Sequence, residues 1–221
     1  MAITFPNETS DYRAARDKLL KAELELRAKV DEIAGLRRTL PFGGEVKEDY
    51  MFDAQGAEGV TQAKISELFG DKDDLFLYGF MFGPEMKRPC PLCTSFLSSF
   101  DGNVRSVQKR AAVAVVAKSP IGRVNDFAEL RGWKNLPLFS SSNNTFQMDY
   151  FAETAEHGQM PMINVFSKKD GKVYHRWGTE VLYSPPESGQ QPRHADMMWP
   201  LWNVLDTLPV GRGDFSPSLD E

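Results

Sequence analysis

The sequence predicts an α/β fold in which a sheet lies between helical layers, and three observations carry that prediction. Two strongly apolar runs, LFLYGFMF at 75–82 and AVAVVA at 112–117, have the length and β-branched content of strands covered on both faces. Helical patterns lie between and after them, as parallel strands joined by crossovers require. Nearer the C-terminus, MINVF at 162–166 and KVYHRW at 172–177 flank the turn-rich SKKDG at 167–171, whose Asp-Gly end is a hairpin signal. One domain over 1–221 is the economical expectation at this length. Its core spans about 75–177, with an added N-terminal helix at about 10–34 and a C-terminal extension at about 178–221.

In chain order, Tyr12, Ala15, Leu19, Ala22, Leu26, Val30 and Ile33 recur at three- and four-residue spacing. That is one amphipathic helix, with Ser10 as its expected N-cap and Gly35 as its expected stop. It packs on its own domain or, over barely three heptads, pairs with a second copy as a homodimer. After LPFGG at 40–44 the pattern becomes strand-like over 46–52, then helical over 62–69. The loop Ser140-Ser141-Ser142-Asn143-Asn144 opens a helix with Asn143 or Asn144 as cap, or else forms a polar ligand loop. The run from Ser184 to Gly189 (SPPESG) is a surface loop, and 195–208, with Trp199 and Trp202, is a closing element. The stretch 211–221 is expected to fray, and the adhesion-like Arg212-Gly213-Asp214 inside it is a coincidence of letters.

Composition excludes several classes. Lysine plus arginine number 26 against 31 acids, a net charge of −5, which argues against a general grip on nucleic acid or an anionic membrane. The longest apolar run, AAVAVVA at 111–117, is far short of the roughly 20 residues of a membrane span. The opening MAITFPNETS lacks a basic region followed by an apolar core, so no export signal is visible. Two cysteines make no disulfide framework, and a reducing cytoplasm is the expected compartment. With no second CxxC and with His157, His175 and His194 scattered singly, no metal and no cofactor is expected.

Both cysteines stand in Arg88-Pro89-Cys90-Pro91-Leu92-Cys93-Thr94, directly after the first apolar strand and at the head of a helical pattern. Proline is favoured at the first helical position, so Pro91 there makes Cys90 the N-cap. Backbone N–H groups and the positive helix end then favour its thiolate, with Lys87 and Arg88 adding positive charge. Cys93 falls three residues on, more enclosed, where it can resolve a mixed disulfide on Cys90. A disulfide closing so short a loop stabilises the fold by only about 2 kcal/mol, so redox cycling explains the pair better than stapling. Zinc and two inert buried cysteines are the rival readings. Met160-Pro161 stands directly before the terminal hairpin. A cis-proline there would present the Met160 backbone to an extended peptide beside Cys90, and an ordinary trans-proline at a strand start is the alternative.

Strand, Cys-Pro-x-Cys opening a helix, strand, helix, proline, strand, Asp-Gly turn and strand is the order of elements in the thioredoxin fold, and the chain resembles that superfamily. More narrowly, LPFGGEVKEDYMFD (40–53), LFLYGFMFGP (75–84), CPLCTSFLSSFDG (90–102), RGWKNLPLFSSSNNTFQMDYF (131–151) and WPLWNVLDTLPVGRG (199–213) resemble the bacterial domain-of-unknown-function family 899. Its members are described as predicted dithiol-disulfide oxidoreductases. The resemblance implies a thioredoxin-like three-layer sandwich, Cys90 as nucleophile, Cys93 as resolving thiol and Pro161 as the cis-proline. Substrate contacts would fall to Pro161, Met160, Pro91 and Arg88. The implied partners are a disulfide- or thiol-containing substrate and an external reductant.

Two departures from thioredoxin itself stand out. Pro89 replaces the tryptophan before the first cysteine, and no buried acid is evident in LFLYGFMF, the nearest being Glu85. The alternatives are a peroxiredoxin-like thiol peroxidase and a non-catalytic binding module of the same fold. The peroxidase pattern would need a threonine or serine four residues before Cys90, where Met86 stands.

Overall fold

The structure is a computed structural model that describes residues 3–186, 188 and 195–220. After helix α1 (Ser10–Thr39) come β1 (Met51–Gly56), β2 (Gly59–Lys64), β3 (Asp74–Phe80), α2 (Pro91–Asp101), α3 (Val104–Val107), β4 (Ala112–Ala117) and α4 (Ile121–Arg131). There follow β5 (Leu138–Ser140), α5 (Phe146–Asp149), β6 (Glu153–Thr154), β7 (Gly158–Gln159), β8 (Met162–Lys169), β9 (Lys172–Gly178) and α6 (Pro200–Leu205). All strands but β6 and β7 join one sheet in the order β2-β1-β5-β4-β3-β8-β9.

The two apolar runs became its central parallel pair, β3 and β4, in register from Leu75–Ala112 to Phe80–Ala117. All six residues of β4 are buried, as a strand covered on both faces must be. Their side chains alternate between two cores. Val113, Val115 and Ala117 join Tyr78, Phe80, Phe96 and Val124 beneath α2, α4 and α6, whereas Ala114 and Val116 join Phe52, Phe69, Leu77 and Phe146 on the other face. Each fully buried phenylalanine contributes roughly 1.5–3 kcal/mol, so both faces are firmly held.

Antiparallel β8 and β9 complete the core beside β3. Their connection is the expected two-residue turn, with Asp170 and Gly171 at φ 51° and 76°. Positive φ at both central positions is the geometry whose twist matches a hairpin. The contiguous β4-β3-β8-β9 sheet, with its helical crossover and terminal hairpin, is thioredoxin-like in fold.

Three local expectations are corrected. The strand-like stretch 46–52 splits: Val46 N donates to Val173 O at 2.9 Å, and β1 begins only at Met51. The stretch 62–69 is not a helix but the end of β2 followed by a single turn, with Leu68 N on Lys64 O at 3.2 Å and Gly70 at φ 55°. Ile65, Leu68 and Phe69 imitate helical spacing because that one turn points Ile65 and Phe69 into the core. The stretch 211–221 does not fray as far as Asp220. Arg212 bonds Asp196 at 2.8 Å and Asp206 at 2.6 Å, and Arg88 bonds Asp220 at 2.8 Å. Glu221, His194 and part of the 184–189 loop lie outside the described residues.

The closing element is present as α6 and the turn before it, with Trp199 and Trp202 buried. In the loop 140–144 neither asparagine is the cap, which is Thr145; Asn144 Oδ1 accepts from Phe146 N at 3.0 Å as α5 begins, while Asn143 Nδ2 reaches Asp53 at 3.0 Å.

Met1–Pro41 and Phe42–Glu221 form two compact units. In the first, α1 is capped by Thr9, one residue earlier than expected, whose Oγ1 accepts from Tyr12 N at 3.2 Å. The helix runs through Gly35 to Thr39, because one interior glycine costs only about 1 kcal/mol and Pro41 holds Leu40 in an extended conformation. None of its residues is buried.

Candidate active site

The edge of α2 is built by its own letters. Cys90 is the N-cap at φ −61°, ψ 124°, Pro91 opens the helix, and the Cys90 sulfur accepts from Cys93 N at 3.5 Å. Thr94 closes the first turn, its N and Oγ1 both donating to Cys90 O at 3.0 and 2.9 Å. Both thiols are free, Cys90 half-buried and Cys93 buried.

The Cys93 thiol, donating to the Cys90 sulfur, is the largest influence on Cys90. Burial opposes it, and the backbone N–H groups of Cys93 and Leu92 add to it, so the Cys90 pKa is pulled down to about 6. Lys87 and Arg88 are exposed, and the depression comes from hydrogen bonds to the sulfur itself. Arg88 instead pairs with Asp220. Cys93 moves the other way: burial, then its bond to Cys90, pushes its thiol well up. One thiol that ionises early beside another that keeps its proton is an asymmetry that dithiol exchange can use.

Beneath the pair lies Tyr78 of β3, buried and stacked on Phe96 with centroids 4.9 Å apart. Its phenol donates to the Cys93 sulfur, which also accepts from the Met81 backbone N–H. Met81 O in turn accepts from Cys90 N at 3.0 Å. A chain of donors therefore runs from Tyr78 through Cys93 to Cys90. The sequence reading missed Tyr78, although a lone phenol inside an apolar strand is a usable signal, since a buried hydroxyl needs a partner. Glu85 is exposed on its loop.

A second residue absent from that reading is Arg123 of α4. Its guanidinium donates to the carbonyls of Pro84 and Lys87 at 3.0 Å each and to Met86 O, and lies 4.4 Å over the Phe82 ring. It fixes the loop that delivers Cys90 to α2.

The hairpin brings the Met160–Pro161 stretch to the same end of the sheet. The β3–β8 register ends at Gly79–Met162. Extended by two residues it sets Pro161 across from Phe80 and Met160 across from Met81, and the next residue, Gln159, packs against Gly83. The Met160–Pro161 peptide is trans, there being no cis bond among the described residues. The cis expectation is thereby corrected: Met160 N is tied to Ala152 O at 2.9 Å as the chain leaves β7, and an extended trans entrance continues straight into β8. Among the described residues no three histidine, cysteine, aspartate or glutamate side chains gather as metal ligands, and no helix is long and apolar enough to cross a membrane.

The family model described as a bacterial protein of unknown function (DUF899) matches residues 3–219. No curated protein matches the chain. Similar solved structures include the mitochondrial 2-Cys peroxiredoxin of Plasmodium falciparum, with 16% identity, a TM-score of 0.44 and coverage of 78% of this chain and 99% of that one. Oxidized Prx3 of Vibrio vulnificus shares 12% identity at a TM-score of 0.43, with 63% and 90% covered. The exposed lipoprotein thioredoxin Etrx1 of Streptococcus pneumoniae shares 17% at 0.39, with 56% and 84% covered.

Proposed function

The chain belongs to the bacterial family of unknown function DUF899, and from the chemistry of its own site we propose that it is a thiol-disulfide oxidoreductase. The carrying observation is the paired sulfurs at the head of α2, Cys90 held as a thiolate and Cys93 as a buried thiol. With a pKa of about 6, roughly nine-tenths of Cys90 is ionised at pH 7, against a few per cent for an ordinary thiol.

The Cys90 thiolate attacks one sulfur of a substrate disulfide. The Cys90–substrate bond forms, the substrate S–S bond breaks, and the other substrate sulfur leaves as a thiolate. Cys93 then attacks the Cys90 sulfur and releases the second substrate thiolate. Its proton passes to a leaving thiolate, and Tyr78 and Met81 N–H hold the Cys93 sulfur as it becomes negative. The substrate disulfide has gained two electrons and Cys90–Cys93 has lost them. An external dithiol restores the pair by the reverse exchange.

Met160 and Pro161 stand at the same end of the sheet as Cys90 by extension of the β3–β8 register. In this reading their carbonyls are what they offer a substrate, since Met160 N is tied to Ala152 O and proline has no N–H. Pro91 shapes the turn beside the nucleophile. Arg88, with its pairing to Asp220, stands at the rim as a contact for an acidic substrate group. The test is trapping: with a model disulfide, Cys93→Ser should accumulate a mixed disulfide on Cys90, and Cys90→Ser should form none. Equal trapping by both variants would reverse the assigned roles. Peroxide consumption outpacing disulfide reduction under the same dithiol would favour a thiol peroxidase.

A further inference from the structure

The opposite face of the sheet carries a cavity that the redox chemistry does not use. On β3, Tyr78 and Phe80 face α2 and the cysteines, while Leu77 faces away. Leu77 pairs with Asn164, and Gly79 with Met162, so Asn164 and Met162 share Leu77's face. They line a cavity of about 980 Å³ together with Tyr150, His175, Glu180 and Tyr183. That volume is in the upper range of small-molecule sites.

Its inner wall is fixed by a buried polar side chain. Asn164, 1% exposed, gives its amide N–H to Tyr150 O at 3.3 Å, which leaves its oxygen to accept from His175 Nε2 at 2.9 Å. His175 is therefore held as the Nε2–H tautomer, its pKa lowered by burial, and its other ring nitrogen is a lone-pair acceptor. Aromatic rings form part of the wall: the Tyr150 ring centroid lies 5.8 Å from that of His175, and Phe151 lies 5.9 Å from Tyr183. Among the described residues no lysine or arginine lines the cavity, whereas four carboxylates do. Glu45 and Asp149 are bonded to Lys172 and Lys47. Glu156 has only His157 at 3.7 Å, and Glu180 makes no ion pair with a described residue.

We propose that this cavity binds a small organic cation, an amine carried on an aromatic or other apolar body. Aromatic faces and two carboxylates attract the ammonium group, the His175 acceptor receives one of its N–H groups, and an anion of the same shape is repelled. The proposal is independent of the redox reading, because the cavity and the cysteines lie on opposite faces.

The full chain is titrated with 2-phenylethylamine, 2-phenylethanol and phenylacetate by calorimetry, alongside the double variant E156Q/E180Q, both positions being exposed. The amine should bind at least about tenfold more tightly than the alcohol, with phenylacetate weakest, and the double variant should lose about tenfold for the amine alone. Unchanged Cys90 alkylation certifies that the variant is folded. Equal binding of phenylacetate or the alcohol, amine affinity untouched by the double variant, or no saturable binding up to about 10 mM would each overturn the proposal.

Discussion

Replacing Cys93 by alanine removes the thiol that does most to hold Cys90 as a thiolate. The drop of the Cys90 pKa to about 6 corresponds to about 4 kcal/mol in favour of the charged form. A hydrogen bond to a charged group is worth roughly 1.5–3 kcal/mol. Because S–H is a weak donor, about 2 kcal/mol is the reasonable share, or about one and a half pH units. The backbone N–H groups of Cys93 and Leu92 survive the substitution, so Cys90 in Cys93→Ala should titrate near about 7.5. The assay is the pH dependence of alkylation by iodoacetamide. At pH 6.5 the thiolate fraction falls from about three-quarters to about a tenth, a roughly eightfold slower reaction. Cys93→Ser, which returns a hydroxyl donor, should lie between. A Cys90 pKa that stays near about 6 in Cys93→Ala would refute the reasoning and assign the depression to the helix terminus alone.

Further outcomes follow from the same contacts. The folded-state pKa of Cys90 lies below its unfolded value, so the contribution of Cys90 to the stability of the reduced protein should be present in full above about pH 8.5 and lost as pH falls through about 6. Urea titrations of Cys90→Ser should lack that slope. Tyr78→Phe deletes the phenol that donates to Cys93; it should cost about 1 kcal/mol of stability and prolong the life of the mixed disulfide without slowing its formation, as quenched-flow mass spectrometry would read. Arg123→Ala frees the carbonyls of Pro84, Met86 and Lys87; stability should fall by about 2 kcal/mol, and amide exchange should quicken in the loop before Cys90. Unchanged exchange there would mean that the loop is held by its backbone contacts instead.

Some of this protein was determined within a few residues of chain. Pro91 fixes a helical start, and with it the position of Cys90 as cap and of Cys93 one turn on. Asp170-Gly171 fixes a hairpin, because positive φ at both positions admits few other pairs of letters. The unbroken apolar runs of β3 and β4 required a sheet covered on both sides. These signals are local, and local sterics and capping suffice to decide them.

The rest depended on partners distant in sequence. Only packing could show that the phenol of Tyr78 lies beneath Cys93, so that a tyrosine takes the buried polar place where a carboxylate was sought. Arg123 reaches the Cys90 loop across 36 to 39 residues, and Arg212 and Arg88 hold a segment whose letters read as a loose end. The helical spacing of Ile65 and Phe69 was satisfied by one turn, because core contacts reward the direction of a side chain whatever backbone supplies it. The trans bond at Pro161 was likewise beyond the letters, since it depends on the path by which the chain enters β8. Periodicity tells which residues avoid water; which of them meet is decided by strand register and sheet order, to which no three- or four-residue pattern is sensitive.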